Sequence, residues 1–113
     1  MSNWGFLTNH AHVLIQVAHD PRSTVREIAL ASGITERAAI SVLHDLRGAG
    51  IILTHREGRQ NVNQIDLAVL ERHAPWGASS MHIPDALIQG TVAGLSRLAA
   101  PGALCQQRSS KSA

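Results

Sequence analysis

Aromatic residues are scarce in this chain of 113 residues, which contains two tryptophans, one phenylalanine and no tyrosine. A core with so few rings must be built from Leu, Ile, Val and Ala, which is typical of compact helical folds and disfavours a β-sandwich. The length suffices for one modest core and not for two cores with a linker. We therefore expect one domain with an appendage.

Cysteines, export signals and long apolar runs are also scarce. Cys105 is the only cysteine, so no internal disulfide or multi-cysteine zinc site can form, and a reducing compartment is expected. The sequence has no run of about 18 apolar residues, and its first residues lack the basic-then-apolar order of a signal peptide. These absences predict a cytoplasmic protein without membrane contact.

An excess of positive charge is missing from the larger part of the chain. Residues 1–73 contain seven arginines and seven acidic side chains, and the formal net charge of +2 arises from the remaining 40 residues. A basic total alone is therefore no argument for nucleic-acid binding here. Any affinity for DNA must depend on where individual arginines lie.

Helical spacing and capping residues predict two helices near the start of the chain. The first covers about residues 8–19 and ends at Asp20-Pro21. Thr24 and Glu27 have the spacing of a capping box, in which each side chain satisfies a backbone amide near the other. A second helix is expected to start there and to end at Gly33.

A third helix is predicted after a turn of three or four residues, with Thr35 as its N-cap and Gly48 or Gly50 as its end. Its two faces differ in polarity. The face expected in the core contains Ala39, Val42, Leu43, Leu46 and Ala49. The face expected to be free contains Arg37, Ile40, Ser41, His44 and Arg47.

The segment after the third helix has the pattern of a β-hairpin. Residues 51–56 are rich in β-branched side chains, Glu57-Gly58-Arg59 forms a turn, and residues 60–66 return as a second strand. Residues 67–73 are expected to form a short helix. The hairpin would carry an arginine at its tip.

The remainder of the chain is expected to lie outside this first unit, which covers residues 1–73. Residues 74–82 are rich in Pro, Gly and Ser and predict a linker. Residues 83–101 predict a helix that starts at Pro84-Asp85 and stops before Pro101-Gly102. Residues 102–113 predict a flexible tail.

Within about 60 residues, the predicted elements follow the order of a winged helix-turn-helix: helix, capped helix, tight turn, capped helix and hairpin. The fold class expected is mainly α with a small β-hairpin wing, plus an extra C-terminal helix. Four stretches of sequence support this order: FLTNHA at 6–11, VREIA at 25–29, GITERAA at 33–39, and DL at 45–46 through AG at 49–50 to GR at 58–59. Because of these stretches, residues 4–66 resemble the MarR-like winged-helix transcriptional regulators.

The resemblance implies a transcriptional regulator that binds double-stranded DNA sequence-specifically. The third helix would lie in the major groove, and the wing would contact the backbone or the minor groove. The implied contacts from the third helix are Thr35, Glu36, Arg37, Ile40, Ser41 and His44. Those implied from the wing are Arg56, Arg59, Gln60 and Asn61.

An apolar stripe on the C-terminal helix predicts a homodimer, because one small domain cannot obviously cover it. The expected interface consists of Leu87, Ile88, Val92, Leu95 and Leu98, with Val13 and Val17 on the first helix as the docking place. The alternative is that this helix folds back and completes the core of its own chain.

Other classes of function have weaker support in the sequence. His10 and His12 diverge on a helix, and no His-x-x-x-His or Cys-x-Cys spacing occurs, so neither a metal site nor a cofactor is expected. The motifs of nucleophilic or phosphate-binding enzymes are missing, so catalysis is not expected. The rival hypothesis is a winged-helix adaptor that binds proteins. A small-molecule effector stays undetermined, because no pocket can be read from the sequence.

Overall fold

The computed structural model describes residues 5–74, 76 and 83–105. This part of the chain has a mixed α+β fold with five helices and one antiparallel hairpin. In chain order the elements are α1 (Asn9–His19), α2 (Val25–Ser32), α3 (Glu36–Gly48), β1 (Ile52–Glu57), β2 (Gln60–Ile65), α4 (Leu67–His73) and α5 (Asp85–Leu98). Most of the predicted linker and the tail from residue 106 onward lie outside the described residues.

The first two helices begin at the residues that the sequence indicates. Thr8 caps α1, its hydroxyl oxygen accepting from the Ala11 amide at 3.3 Å. The capping box of α2 is confirmed: Thr24 Oγ1 accepts from the Glu27 amide at 3.1 Å, and Glu27 Oε1 accepts from the Thr24 amide at 2.8 Å. Such caps satisfy amides that have no partner inside the helix and each contribute about 1 kcal/mol.

Only three residues separate α2 from α3. Gly33 ends α2 in the left-handed conformation, with φ 71°, which a side chain would disfavour. The Ile34 amide donates back to the carbonyl oxygen of Ala29 at 3.0 Å. Thr35 then caps α3, its Oγ1 accepting from the Ala38 amide at 3.0 Å. This short connection fixes α3 against α2, and the two helices pack together.

The core lies where α1, α2 and α3 meet the base of the hairpin. Its largest fully buried side chains are Val13, Val17, Ile28, Leu43, Ile52 and Ile65. Burying each aliphatic side chain of this size contributes roughly 1.5–3 kcal/mol. No aromatic ring is among them, as the composition predicts.

The hairpin is buried at its base and exposed toward its tip. Ile52 pairs with Ile65 at the buried end, and Glu57 pairs with Gln60 at the turn. Gly58 makes that turn, with φ 63°. Every residue of β1 beyond Ile52 is exposed. The hairpin is therefore held by the core at one end and accessible at the other.

The C-terminal helix packs on its own chain, against α1 and α4. Leu95 is 5% exposed and belongs to the core, and Ala100 donates from its amide to the Ala18 carbonyl at 2.8 Å. The chain then runs beside β2, where Ile65 and Leu104 form a parallel bridge. The alternative in which this helix completes the core of its own chain is therefore what the fold shows.

Two predictions about this region are wrong. Val13 and Val17 have no exposed surface and lie in the core, so they cannot be the docking place for a partner. The flexible tail does not begin at residue 102, because Ala103 is fully buried and the Cys105 amide donates to Ile65 at 2.9 Å. The error about Val13 and Val17 arose because an apolar stripe indicates that a helix face is buried without indicating whether its own chain or a partner buries it.

Candidate nucleic-acid interface

The free face of α3 is the first half of the candidate site. The side of α3 that carries Ala39, Val42, Leu43 and Leu46 is buried, as predicted, and this turns the opposite side toward solvent. The exposed side consists of Glu36, Arg37, Ile40, Ser41, His44 and Arg47. One prediction for the core face is wrong: Ala49 is the C-cap and is exposed.

Arg37 lies in the first turn of α3 and is the strongest candidate for contact with a base. It is exposed and makes no hydrogen bond or ion pair with the residues that the structure describes. A guanidinium group offers five donors in a planar arrangement that matches the two acceptors of a guanine edge or a phosphate. All five donors remain for a ligand.

The residues that flank Arg37 have more limited roles. The hydroxyl oxygen of Thr35 accepts a hydrogen bond as the N-cap of α3, so the role that the structure gives this side chain is to start the helix. Glu36 is exposed in the first turn, where its negative charge stabilises the positive end of the helix dipole. Ile40 is 56% exposed and offers an apolar contact, for example to a thymine methyl group.

The outer part of the hairpin is the second half of the site. Arg56, Arg59, Gln60 and Asn61 are all exposed, and Arg56 lies opposite Asn61 in the strand register. Within the described part of the chain, neither arginine forms a hydrogen bond or an ion pair. Gln60 is less available, because its Oε1 accepts from Arg22 Nη1 at 3.1 Å.

Arg22, which the sequence did not single out, connects the hairpin to the loop before α2. Its Nη2 donates to Glu57 Oε1 at 2.5 Å, and Glu57 Oε2 accepts from His55 Nε2 at 3.0 Å. These hydrogen bonds, that of His55 first and that of Arg22 next, lower the pKa of Glu57 below its ordinary value of 4.5. The acidic group nearest the turn is therefore hydrogen-bonded to two of its neighbours.

Arg47 connects α3 to the hairpin and is a second residue with an unpredicted role. Its Nε donates to Thr54 Oγ1 at 2.7 Å, and Thr54 donates in turn to Oδ1 of Asn63 at 2.6 Å. Asn63 is only 3% exposed. The observed turn has two residues, Gly58 and Arg59, and its register places Thr54 opposite Asn63. The three-residue turn expected from the sequence would have placed Thr54 opposite Val62, so the sequence did not predict this contact. Arg47 positions the hairpin beside α3 rather than pointing freely into solvent.

On α3 and the hairpin, three arginines and one acidic residue, Glu36, have no hydrogen-bond or ion-pair partner among the described residues. Asp45 on α3 accepts from His10 Nε2 at 2.9 Å, and Glu57 is bound by Arg22 and His55. Arg37, Arg56 and Arg59 have no partner of this kind in the described chain. A neutral total charge therefore coexists with an arginine-bearing surface.

Other kinds of site find little support in the described residues. They contain no group of three or more His, Cys, Asp or Glu side chains arranged to hold a metal ion. None of the helices described is long and apolar enough to cross a membrane.

A comparison with known protein families, curated proteins and solved structures finds no match to this chain.

Proposed function

We propose that this protein is a transcriptional regulator of the winged helix-turn-helix kind, similar to the MarR-like regulators, that binds double-stranded DNA sequence-specifically. The observation that carries the proposal is the juxtaposition of two surfaces. The first surface is the exposed face of α3, a helix that begins three residues after α2. The second is the hairpin, to which Arg47 of α3 donates a hydrogen bond. Within the described part of the chain, Arg37 on the first surface and the two arginines on the second have no hydrogen-bond or ion-pair partner.

In the proposed complex, α3 enters the major groove, which is about 12 Å wide and admits one helix. Arg37 donates two hydrogen bonds to a guanine edge, and Ser41 and His44 contact neighbouring bases or phosphates. The N-terminal end of α3, capped by Thr35, faces the backbone, where its dipole favours a phosphate. No catalytic step and no cofactor is part of this proposal.

The hairpin contributes affinity rather than sequence preference. Arg56 and Arg59 are placed on the DNA backbone or in the adjacent minor groove, where each neutralised phosphate releases counterions. Because Arg22 binds Glu57, the acidic side chain at the turn repels the phosphates less than a free carboxylate would. Asn61 and Gln60 add neutral hydrogen bonds to the same region.

An adaptor that binds another protein is the second candidate. The equal numbers of arginines and acidic residues in residues 1–73 favour it, and so does the exposure of Leu30 (73%) and Ile40 (56%). Exposed aliphatic side chains on α2 and α3 would suit a protein partner better than a phosphate backbone.

A selection from random duplex DNA, read by gel shift at two salt concentrations, separates the two candidates. The regulator should enrich a defined sequence and bind it less tightly at higher salt. Arg37→Ala should relax the base preference and cost about 1–3 kcal/mol. Arg97→Ala, which removes an exposed arginine from α5, is the matched control. No enriched sequence, or an Arg37→Ala variant that behaves like the control, would favour the adaptor.

A homodimer is retained as part of the proposal, with a smaller set of residues. Leu95 is buried, and Ile88 and Val92 are partly buried against their own chain. Leu87 and Leu98 remain 59% and 39% exposed and are available to a second copy. Two copies would place their α3 helices about one turn of the DNA double helix apart on a pseudo-palindromic operator. Sedimentation of the full chain at micromolar concentration tests this, and Leu87→Asp should then dissociate the dimer.

A further inference from the structure

A shallow depression lies between α1 and the C-terminal end of α2. It has a volume of about 300 Å³, at the lower end of the range that is usual for sites that enclose a small molecule. Its lining consists of His12, Ile15 and Gln16 from α1 and of residues 30–33, which end α2. Among the described residues, none of those that line it belongs to α3 or to the hairpin. The depression is therefore separate from the proposed DNA-binding surface.

Two large aliphatic side chains are exposed at this depression. Leu30 is 73% exposed and Ile15 is 37% exposed, and both line it. Other residues of α2, with Ile28 and Ala29 buried, already provide its contacts with the core, so packing of the chain does not require an aliphatic residue at position 30. A single exposed leucine is common, but two large aliphatic side chains at one concave site are typical of a place where a partner inserts a side chain.

A buried hydroxyl group without a partner also belongs to the depression. Ser32 is among the lining residues, and its Oγ is buried and has no hydrogen bond to any described residue. Leaving such a group unsatisfied is unfavourable. Because serine has one side-chain torsion, this hydroxyl group can turn toward a polar atom that enters the depression. A peptide segment supplies such atoms in its backbone, which a hydrocarbon does not.

The charged side chain that is free to reach this site is Arg26, one helical turn before Leu30. It is exposed and has no hydrogen-bond or ion-pair partner among the described residues. The carboxylate of Glu27 is turned back to the start of α2 by the capping box. Helix α1 contains no Asp or Glu, and α3 begins with one charge of each sign, Glu36 and Arg37. A carboxylate on the partner would therefore find Arg26 available to pair with it.

We propose that this depression docks a short amphipathic segment of another protein. The segment inserts an aliphatic side chain beside Leu30 and Ile15, presents a carboxylate to Arg26 and hydrogen-bonds through its backbone to Ser32. A stable dimer buries about 800 Å² on each partner, far more than two partly exposed aliphatic side chains offer, so a second copy of the chain fits less well. The proposal holds whether or not the chain binds DNA.

Selection of peptides on the full chain, from a phage-displayed library of random 12-residue sequences, tests the proposal. Each round first removes the peptides that bind Leu30→Glu, so that only peptides that require Leu30 remain. We expect the enriched peptides to share an aliphatic residue with Asp or Glu within one helical turn of it. A synthetic copy of the most enriched peptide should bind saturably, with one peptide per chain.

Substitutions of exposed leucines locate the peptide. Leu30→Glu should weaken its binding at least tenfold, and Leu30→Ala provides a second test that adds no charge. Leu53→Glu makes the same change at an exposed leucine of the hairpin and should leave binding unchanged. Circular dichroism checks that each variant is folded.

Two further variants test the polar contacts. Arg26→Glu should weaken binding at least tenfold, and a peptide whose acidic residues are replaced by lysine should bind this variant more tightly than it binds the unchanged chain. Ser32→Ala should weaken binding of the original peptide about fivefold, the equivalent of one hydrogen bond. The same variant should keep or raise the urea midpoint, because alanine is the better helix former and leaves no hydroxyl group unpaired. Weaker binding without lower stability separates a contact from a folding defect.

The proposal is overturned if no peptide survives the selection, if the surviving peptides lack acidic residues, or if Arg26→Glu and Ser32→Ala bind like the unchanged chain. A dimer that Leu30→Glu dissociates would identify a second copy as the occupant and overturn it as well. The same holds if Leu30→Glu loses duplex DNA as strongly as Arg37→Ala does, which would assign this surface to DNA. The peptide measurements contain no DNA, and Arg37→Ala should bind the peptide normally. Failure of the docking site is therefore distinguishable from failure of the proposed DNA interface.

Discussion

Arg47 of α3 and Thr54 of β1 are joined by a hydrogen bond of 2.7 Å between Nε and Oγ1. The hydroxyl group of Thr54 donates in turn to Asn63, which is buried in the opposite strand. A side chain on the exposed face of a helix is therefore used to orient a hairpin. A surface that combines α3 with the hairpin depends on this contact for its shape.

Arg47→Met should loosen the hairpin while preserving the apolar stem of the side chain. We expect a loss of about 0.5–1.5 kcal/mol in the free energy of unfolding, because the hydrogen bond to Thr54 and a longer one, of 3.5 Å, to Asn63 are removed. Hydrogen exchange of the β1 and β2 amides should become faster. Arg26→Met, at an exposed position of α2, is the control. Equal exchange rates in the two variants would show that Arg47 does not position the hairpin.

Thr35 has two assigned roles, and two substitutions separate them. Thr35→Ala removes the cap of α3 and should cost about 1 kcal/mol of stability. Thr35→Ser keeps the hydroxyl group and should leave stability within about 0.5 kcal/mol. Urea unfolding measures both. If Thr35→Ser retains stability and loses DNA affinity, the methyl group contacts DNA; if both variants are equally destabilised, the cap is not the source of the effect.

The hairpin arginines should act on affinity without changing sequence preference. Arg59→Ala should weaken binding to all duplexes by a similar factor. The plot of the logarithm of the binding constant against the logarithm of the salt concentration should become less steep, by about one unit for each phosphate that is no longer neutralised. Fluorescence anisotropy at several salt concentrations measures that slope. Arg72→Ala, on the exposed side of α4, should leave the slope unchanged. A variant with an altered sequence preference and an unchanged slope would mean that Arg59 contacts bases.

The hydrogen bonds that Glu57 accepts predict a dependence of stability on pH. Its pKa is lower in the folded chain than its ordinary value of 4.5, because His55 and Arg22 bind the charged form. The stabilisation is therefore present above the ordinary pKa and is lost as the pH falls through the folded value. Glu57→Gln should be less stable than the parent chain at neutral pH, and the difference should shrink in acid. Urea unfolding over a pH series measures this; a constant difference would contradict it.

Local features of the sequence were sufficient to predict most elements of the fold. The capping box of Thr24 and Glu27 spans three residues, and the left-handed Gly33 ends its own helix, so both are determined by neighbours in the chain. The contact between Arg22 and Glu57 joins positions 35 residues apart. No periodicity reveals such a pairing before the chain is folded.

The candidate DNA-binding surface was predictable to a similar extent. Amphipathic spacing separates Arg37 and His44 from the buried side of α3, because the helical period assigns each residue to a face. It does not distinguish Arg37, which has no partner in the described chain, from Arg47, which binds the hairpin. That distinction depends on the position of β1, which only the packing of the whole domain determines.

The C-terminal helix provides the clearest test of how the core is completed. Leu95 is 5% exposed and Leu87 is 59% exposed, although both lie on α5. Leu95→Ala should therefore cost about 2–5 kcal/mol of unfolding free energy, since it removes a buried side chain and leaves a cavity. At concentrations where the chain is a monomer, Leu87→Ala should stay within about 0.5 kcal/mol of the parent chain. Urea unfolding at two protein concentrations measures both effects. If the destabilisation by Leu95→Ala vanishes on dilution, then Leu95 serves an interface between copies rather than the core of one chain, and the packing of α5 on α1 is wrong.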